Sequence, residues 1–216
     1  MKIDFVSDIA CPWCAVGLNA LELALARIGP GLQVDLHFQP FELNPQMAAE
    51  GQEIVEHLSQ KYGIDAAQVA ANTEAIRQRG ASVGFSFGIG KRSRVYNTFN
   101  AHRLLHWAGL SGDASQRALK HALLKAYFTD GLDPSDPEVL VQAAAAAGLD
   151  EAGARAVLAS DAHAADVRRA QAFYQQQGIQ SVPAIIINDR HLISGGQPVE
   201  VFERALRQIA AEAVPG

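Results

Sequence analysis

Both cysteines of this chain fall in one run, Cys11-Pro12-Trp13-Cys14. Two cysteines scattered over this length would take that spacing only about 1% of the time, by counting positions, so chance explains it poorly. The run stands where one pattern gives way to another. Residues 2–7 alternate and are rich in Ile, Phe and Val, which reads as a strand. Val16, Leu18, Leu21, Leu23, Leu25 and Ile28 then recur at helical density up to Gly29-Pro30. The cysteines therefore lie just before or within a first helical turn. Pro12 is tolerated there because a first-turn N–H has no intrahelical partner. The same turn offers unpaired N–H groups and the positive end of the helix dipole, which favour thiolate over thiol. A free cysteine titrates near roughly 8.5, and such settings lower it to ~3.5–7.5. Cys11, nearer the helix start, is the expected attacking thiolate. Cys14, one turn further in, is expected to be less exposed and to act second.

The rest of the chain fits around that junction. Gln33 to Phe38 alternates again and predicts a second strand, closed off by Pro40 and Pro45. From about residue 50 to 178 the pattern is helical throughout. Helices are expected over Gln52–Tyr62, from an Asp65/Gln68 capping box to near Gly80, over 94–108 and over 114–128. Others should start at Asp136 with Pro137 in first position, near Asp150 and near Asp161. Ser181 to Asn188 reads as a buried strand, His191 to Ser194 as a short one after a turn at Asn188-Asp189, and a last amphipathic helix follows Gly195-Gly196-Gln197-Pro198. Without its middle, the order is β-α-β…β-β-α, that of thioredoxin. The expected fold is α/β, thioredoxin-like, with an inserted all-helical domain. Residues 1–45 and 163–216 form the two thioredoxin parts, and 46–162 the insertion.

Bulk properties exclude several classes. The 216 residues suffice for one good core. A net charge of −5 argues against a generally nucleic-acid-binding surface. No run of 18 apolar residues exists, so no membrane span is expected. The acids in the opening Met1–Asp8 stretch are unlike a secretory signal. Together with the lack of a disulfide framework, this points to the cytoplasm, where a CxxC is more often redox-active or metal-binding than structural.

Each candidate has a plainer reading beside it. CxxC can be half a zinc site, and His102 with His106, four apart in the expected helix 94–108, could complete the ligand count. The gap from Cys14 to His102 far exceeds that of a zinc finger, so no metal is assigned. Trp13, between two cysteines in a turn, is expected to be exposed. Pro12 and Trp13 are candidate substrate contacts that also tune the couple. Pro183 contradicts a central strand. It is either an edge or bulge feature, or a cis Val182–Pro183 bond facing the CxxC, where Val182 could pair with an extended substrate. Gly195-Gly196-Gln197-Pro198 is a tight turn at a helix start or an anion cradle. Asp8 either shuttles a proton or closes its strand. Lys91-Arg92-Ser93-Arg94 is a solvated helix start or a lure for an acidic thiol.

The run Phe5-Val6-Ser7-Asp8-Ile9-Ala10-Cys11-Pro12-Trp13-Cys14 followed by Gly17 resembles the start of the DsbA-like family in its FrnE-type branch. Pro40-Phe41-Glu42-Leu43-Asn44-Pro45, Lys61-Tyr62-Gly63, Asn97-Thr98 with Ala101–Leu104, Ala126-Tyr127-Phe128 and Gly178–Pro183 extend the match along nearly the whole chain. The resemblance implies dithiol–disulfide chemistry, with nucleophile, resolving cysteine and cis-proline at Cys11, Cys14 and Pro183. It implies partners that are protein or low-molecular-weight thiols and disulfides. No cofactor is required. Glutathione would serve as a co-substrate, its γ-glutamyl end at Gly196 and Gln197. The alternative is a glutathione-dependent isomerase or transferase of small aromatic compounds. The 2-hydroxychromene-2-carboxylate isomerases and kappa-class glutathione transferases share this fold but place a serine where Cys11 stands. Some FrnE-type proteins carry a second cysteine pair, which is absent here. The oligomeric state is left open, a homodimer included.

Overall fold

The computed structural model describes residues 1–212. Positions 213–216, the end of the expected second thioredoxin part, lie outside them. In chain order come β1 (Lys2–Ser7), α1 (Pro12–Ile28), β2 (Asp35–Pro40), a short β3 (Gln52–Glu53), α2 (Ile54–Tyr62), α3 (Ala66–Ser82) and a short β4 (Arg94–Val95). Then follow α4 (Phe99–Gly109), α5 (Asp113–Leu124), a π-helical turn (Lys125–Thr129), α6 (Pro137–Ala146), α7 (Glu151–Leu158) and α8 (Ala164–Gln176). The chain closes with β5 (Ala184–Ile187), β6 (His191–Ser194) and α9 (Val199–Glu212).

The main sheet has the order β2-β1-β5-β6. β1 runs parallel to β2, with Phe5 opposite Phe38, and antiparallel to β5, with Val6 opposite Ala184. The alternation of β1 sorts its side chains between two faces. Ile3 and Phe5 enter the main core with α1 and α9, whereas Val6 joins Tyr174, Ile179 and Ala184. The β5–β6 hairpin turns at Asn188 (φ 52°) and Asp189 (φ 56°), two residue types that tolerate the left-handed conformation a tight hairpin needs. This is the expected thioredoxin-like α/β fold. One continuous set of buried side chains runs from Ile3 and Phe5 through Leu18 and Leu21 to Leu104, Leu119, Leu123, Leu140 and Val157. No helix of the described residues is long and apolar enough to cross a membrane.

Local capping signals hold. Asp65 and Gln68 form a reciprocal capping box, and Asp136 and Asp150 cap α6 and α7. Five expectations need correction, and at Gln52–Glu53, Arg94 and Lys125–Thr129 a contact distant in sequence overrides the local pattern. The second strand lies two residues later than Gln33–Phe38 and ends on Pro40. The stretch 50–178 is not wholly helical, because Gln52 and Glu53 pair with Val95 and Arg94. The Arg94 guanidinium ties that ribbon down by donating to the carbonyls of Glu50 and Gly51, both at 2.9 Å. Helix 52–62 thus begins only at Ile54. The expected helix 94–108 begins only at Phe99, so Lys91–Arg94 leads into a strand rather than a helix. The helix expected over 114–128 loses its α pitch at Lys125, where the wider turn buries Tyr127 and Phe128 and lets the Tyr127 hydroxyl donate to the Arg94 carbonyl at 2.9 Å. Finally, the strand expected from Ser181 starts at Ala184, after a cis Val182–Pro183 bond.

Candidate active site

The site grows from the end of β1. Cys11 is the N-cap of α1 and Pro12 its first residue, so the positive end of the helix lies beside the Cys11 sulfur. Both cysteines are free thiols. The Cys11 thiol donates to the Val182 carbonyl at 3.6 Å, which brings the cis-proline loop onto the CxxC. Cys11 is less open than its expected role suggests, at 4% exposure, and Cys14 is wholly buried. Burial pushes the Cys14 thiol well above its ordinary range, and hydrogen bonding to Cys11 adds to this. The charge of Lys120 works in the opposite direction. Trp13 is the open member of the run, at 40% exposure.

Three glycine-scale contacts hold this geometry. A Cβ on Gly17 would lie 3.1 Å from Pro183 Cγ and 3.2 Å from Gly196 Cα. A Cβ on Gly196 would lie 3.0 Å from the Trp13 carbonyl oxygen. The first turn of α1, the cis-proline and the turn before α9 therefore meet at backbone distance. The Gly195 N–H donates to the Pro183 carbonyl at 2.8 Å. Gln197 spends its polar groups within its own turn, the side chain donating to the Ser194 carbonyl at 2.7 Å and the N–H to the Gly195 carbonyl at 2.9 Å.

Asp8 organises the underside. Its fully buried carboxylate accepts from the N–H groups of Ala10 (3.2 Å) and Leu43 (2.7 Å) and from the Thr98 hydroxyl (2.7 Å), with His102 Nε2 at 3.4 Å. Burial opposes its ionisation, but His102, Leu43 and Thr98 outweigh it and hold the carboxyl below its ordinary value. The group whose folded pKa is depressed stabilises the fold above its unfolded pKa, near 3.8, and loses that contribution as pH falls through the folded value. Asp8→Ala strands buried donors on Leu43, Thr98 and His102. It should cost about 3 kcal/mol at neutral pH and flatten the acid limb of stability. Urea midpoints of both proteins across an acid pH series check this. Parallel pH profiles would contradict the assigned role.

His102 is thereby committed to Asp8, while His106 points instead to His163 and Asp166. The zinc reading of CxxC with His102 and His106 loses its ligand set. Sequence reasoning also missed Lys120. Its side chain is fully buried, its ammonium has no hydrogen-bond partner, and it lies 5.8 Å from the Phe38 ring centre.

Over Cys11 opens a cleft of about 880 Å³. Its floor is Cys11, Pro12, Trp13 and Val182. Its walls come partly from the helical segment, including Leu58, Lys61 and Tyr62 of α2, Val69 and Ile76 of α3, and Arg92, and partly from Phe41–Asn44 and Gln180–Ser181. Arg92 stacks over the rings of Tyr127 and Phe128, 5.2 and 4.9 Å from their centres. Lys61 donates to the Leu43 carbonyl at 2.8 Å and to Asn44 Oδ1 at 2.7 Å. The sulfurs thus lie at the end of β1, and the helical segment forms part of the cleft around them.

Residues 2–207 match the DSBA-like thioredoxin domain. The chain is 27% identical over 209 residues to the uncharacterized protein YwbO of Bacillus subtilis (strain 168), covering 95% of this chain and 96% of that one. The crystal structure of a probable DsbA oxidoreductase, SCO1869 from Streptomyces coelicolor, superposes with a TM-score of 0.89 at 36% identity, over 100% of this chain and 92% of that one. The cytosolic disulfide reductase DsbM from Pseudomonas aeruginosa, solved with GSH, gives a TM-score of 0.66 over 98% of this chain and 100% of that one. At 17% identity that last likeness shows the fold.

Proposed function

We propose that this chain, which belongs to the DSBA-like thioredoxin domain family, is a thiol–disulfide oxidoreductase whose Cys11 and Cys14 cycle between dithiol and disulfide. The observation that carries the reading is the meeting of both cysteines at the first turn of α1, with Cys11 on the floor of the cleft and Cys14 buried behind it. In the reducing direction the Cys11 thiolate attacks one sulfur of a substrate disulfide, and the other sulfur leaves as thiolate. Cys14 loses its proton and attacks Cys11 of the mixed disulfide. The second substrate thiolate then departs, and the enzyme is left with a Cys11–Cys14 disulfide. Two electrons pass from enzyme to substrate, and the reverse sequence oxidises a dithiol. No metal or organic cofactor enters any step.

The cleft supports low-molecular-weight thiols and disulfides as well as extended protein segments. Lys61 and Arg92 give its walls positive charge, which suits an acidic thiol such as glutathione. A reducing cytoplasm is the setting in which that thiol would be abundant. The deciding experiment measures two turnovers on the same protein. Reduction of insulin or of glutathione disulfide, coupled to an external reductant, should proceed well above background. Glutathione-dependent isomerisation of a 2-hydroxychromene carboxylate should not. The opposite pattern would replace the redox reading with the isomerase one.

A further inference from the structure

The redox centre leaves one cluster of ligating side chains unused. His106 on α4 and His163 with Asp166 at the start of α8 place one donor atom each within 4.8 Å of one another, the only such group of three among the described residues. His106 Nε2 lies 3.9 Å and His163 Nδ1 3.7 Å from Asp166 Oδ2, and the two imidazole rings are 5.2 Å apart. We propose that these three side chains form a site for a divalent cation of the zinc type, with the remaining coordination positions open to water.

The donor set favours a borderline transition-type ion over a hard one. Two imidazoles and one carboxylate are the ligands of an open zinc site, whereas calcium and magnesium take oxygen ligands. Bonds of about 2.0–2.1 Å to a tetrahedral ion place donors about 3.4 Å apart. The two separations from Asp166 need close by only about half an ångström, and the two imidazole donors, within 4.8 Å of one another, come together by side-chain torsion. The ligand side chains are 35%, 21% and 37% exposed, so an ion can reach them from one side.

The surroundings hold the ligands in place. Arg103 sits one turn before His106 on α4 and is buried. Its guanidinium gathers the carbonyls of Val157, Ser160 and Ala162, the chain that delivers His163. One helix thus carries one ligand and anchors the loop that presents another. Arg169 takes Asp166 Oδ1, which leaves Oδ2 toward the histidines. Such partners of a ligating group fix its orientation. A bound ion would clamp α4 to α8 without touching either sulfur.

The test uses the full chain carrying Cys11→Ser and Cys14→Ser, so that thiols cannot bind the metal. The protein is stripped with chelator and titrated with zinc chloride by calorimetry, and its melting temperature is read with and without zinc. The expected result is one equivalent bound and a raised melting temperature. His163→Ala or Asp166→Asn in the same background should weaken binding at least tenfold and remove the thermal gain. Melting of each variant without zinc shows that it has folded. Zinc that binds the His106→Ala/His163→Ala form equally well, or that changes neither heat nor melting temperature in the parent, overturns the site. The cysteine-free background keeps this outcome separate from the fate of the redox assignment.

Discussion

Cys14→Ser is expected to turn a catalyst into a trap. Cys11 can still attack a substrate disulfide, because its place on the cleft floor and its contact with the Val182 carbonyl do not depend on Cys14. The second attack has no sulfur to make it, so the mixed disulfide persists. Steady-state reduction should fall by at least about a hundredfold, comparable to loss of a nucleophile or its partner elsewhere. Covalent adducts should accumulate at one substrate thiol per chain and dissolve in reductant. Cys11→Ser should lose turnover to the same degree and form no adduct, since Cys14 is wholly buried. Intact-protein mass spectrometry separates the two variants. Equal adduct yields from both would contradict the order of attack.

Lys120→Met is expected to stabilise the protein and slow it. Taking an ammonium out of water without a hydrogen-bond partner is costly. Here burial pushes the Lys120 pKa down from 10.5 to about 8, with the charges of Cys14, Asp8 and Cys11 only partly opposing it. That difference corresponds to about 3 kcal/mol of strain on the fold at neutral pH. The unfolded chain binds the extra proton between about pH 8 and 10.5, so wild-type stability should rise with pH across that window. Methionine fills similar volume without the charge. The variant should gain a few kcal/mol at pH 7 and lose the rise toward pH 10, as read from urea midpoints. The same charge eases ionisation of Cys14 against its burial. Without it, release from the mixed disulfide should slow by about tenfold or more. A destabilised variant with unchanged turnover would remove Lys120 from the account.

The thioredoxin half was readable because its signals are local. A strand alternation ends in Cys-Pro-Trp-Cys, a proline interrupts an apolar run at position 183, and an Asn-Asp pair marks a hairpin. The cleft walls were less readable. The pairing of Gln52 with Val95 joins residues far apart in the chain, and helical periodicity on either side hides it. Asp8 stood in view three residues before Cys11, but its partners Leu43, Thr98 and His102 come from other elements, so its role could not be chosen. Lys120 did leave a trace. It shares a helical stripe with Gln116, Leu119 and Leu123, all buried, and a charged residue in that register is either misplaced or functional. His102 and His106 share a helix as expected, yet each serves a different neighbourhood.

Interconversion of the two sulfurs within one chain underlies every step above. It is tested by equilibrating the protein in glutathione buffers of stepped ratio, quenching with acid and weighing it. Trp13 fluorescence should follow the same transition, because that side chain lies between the cysteines and is exposed. The expected result is a single two-electron step in which each monomer loses two hydrogens and remains monomeric in mass. Protein that keeps both thiols across the whole range, or oxidises only by joining two chains, contradicts it.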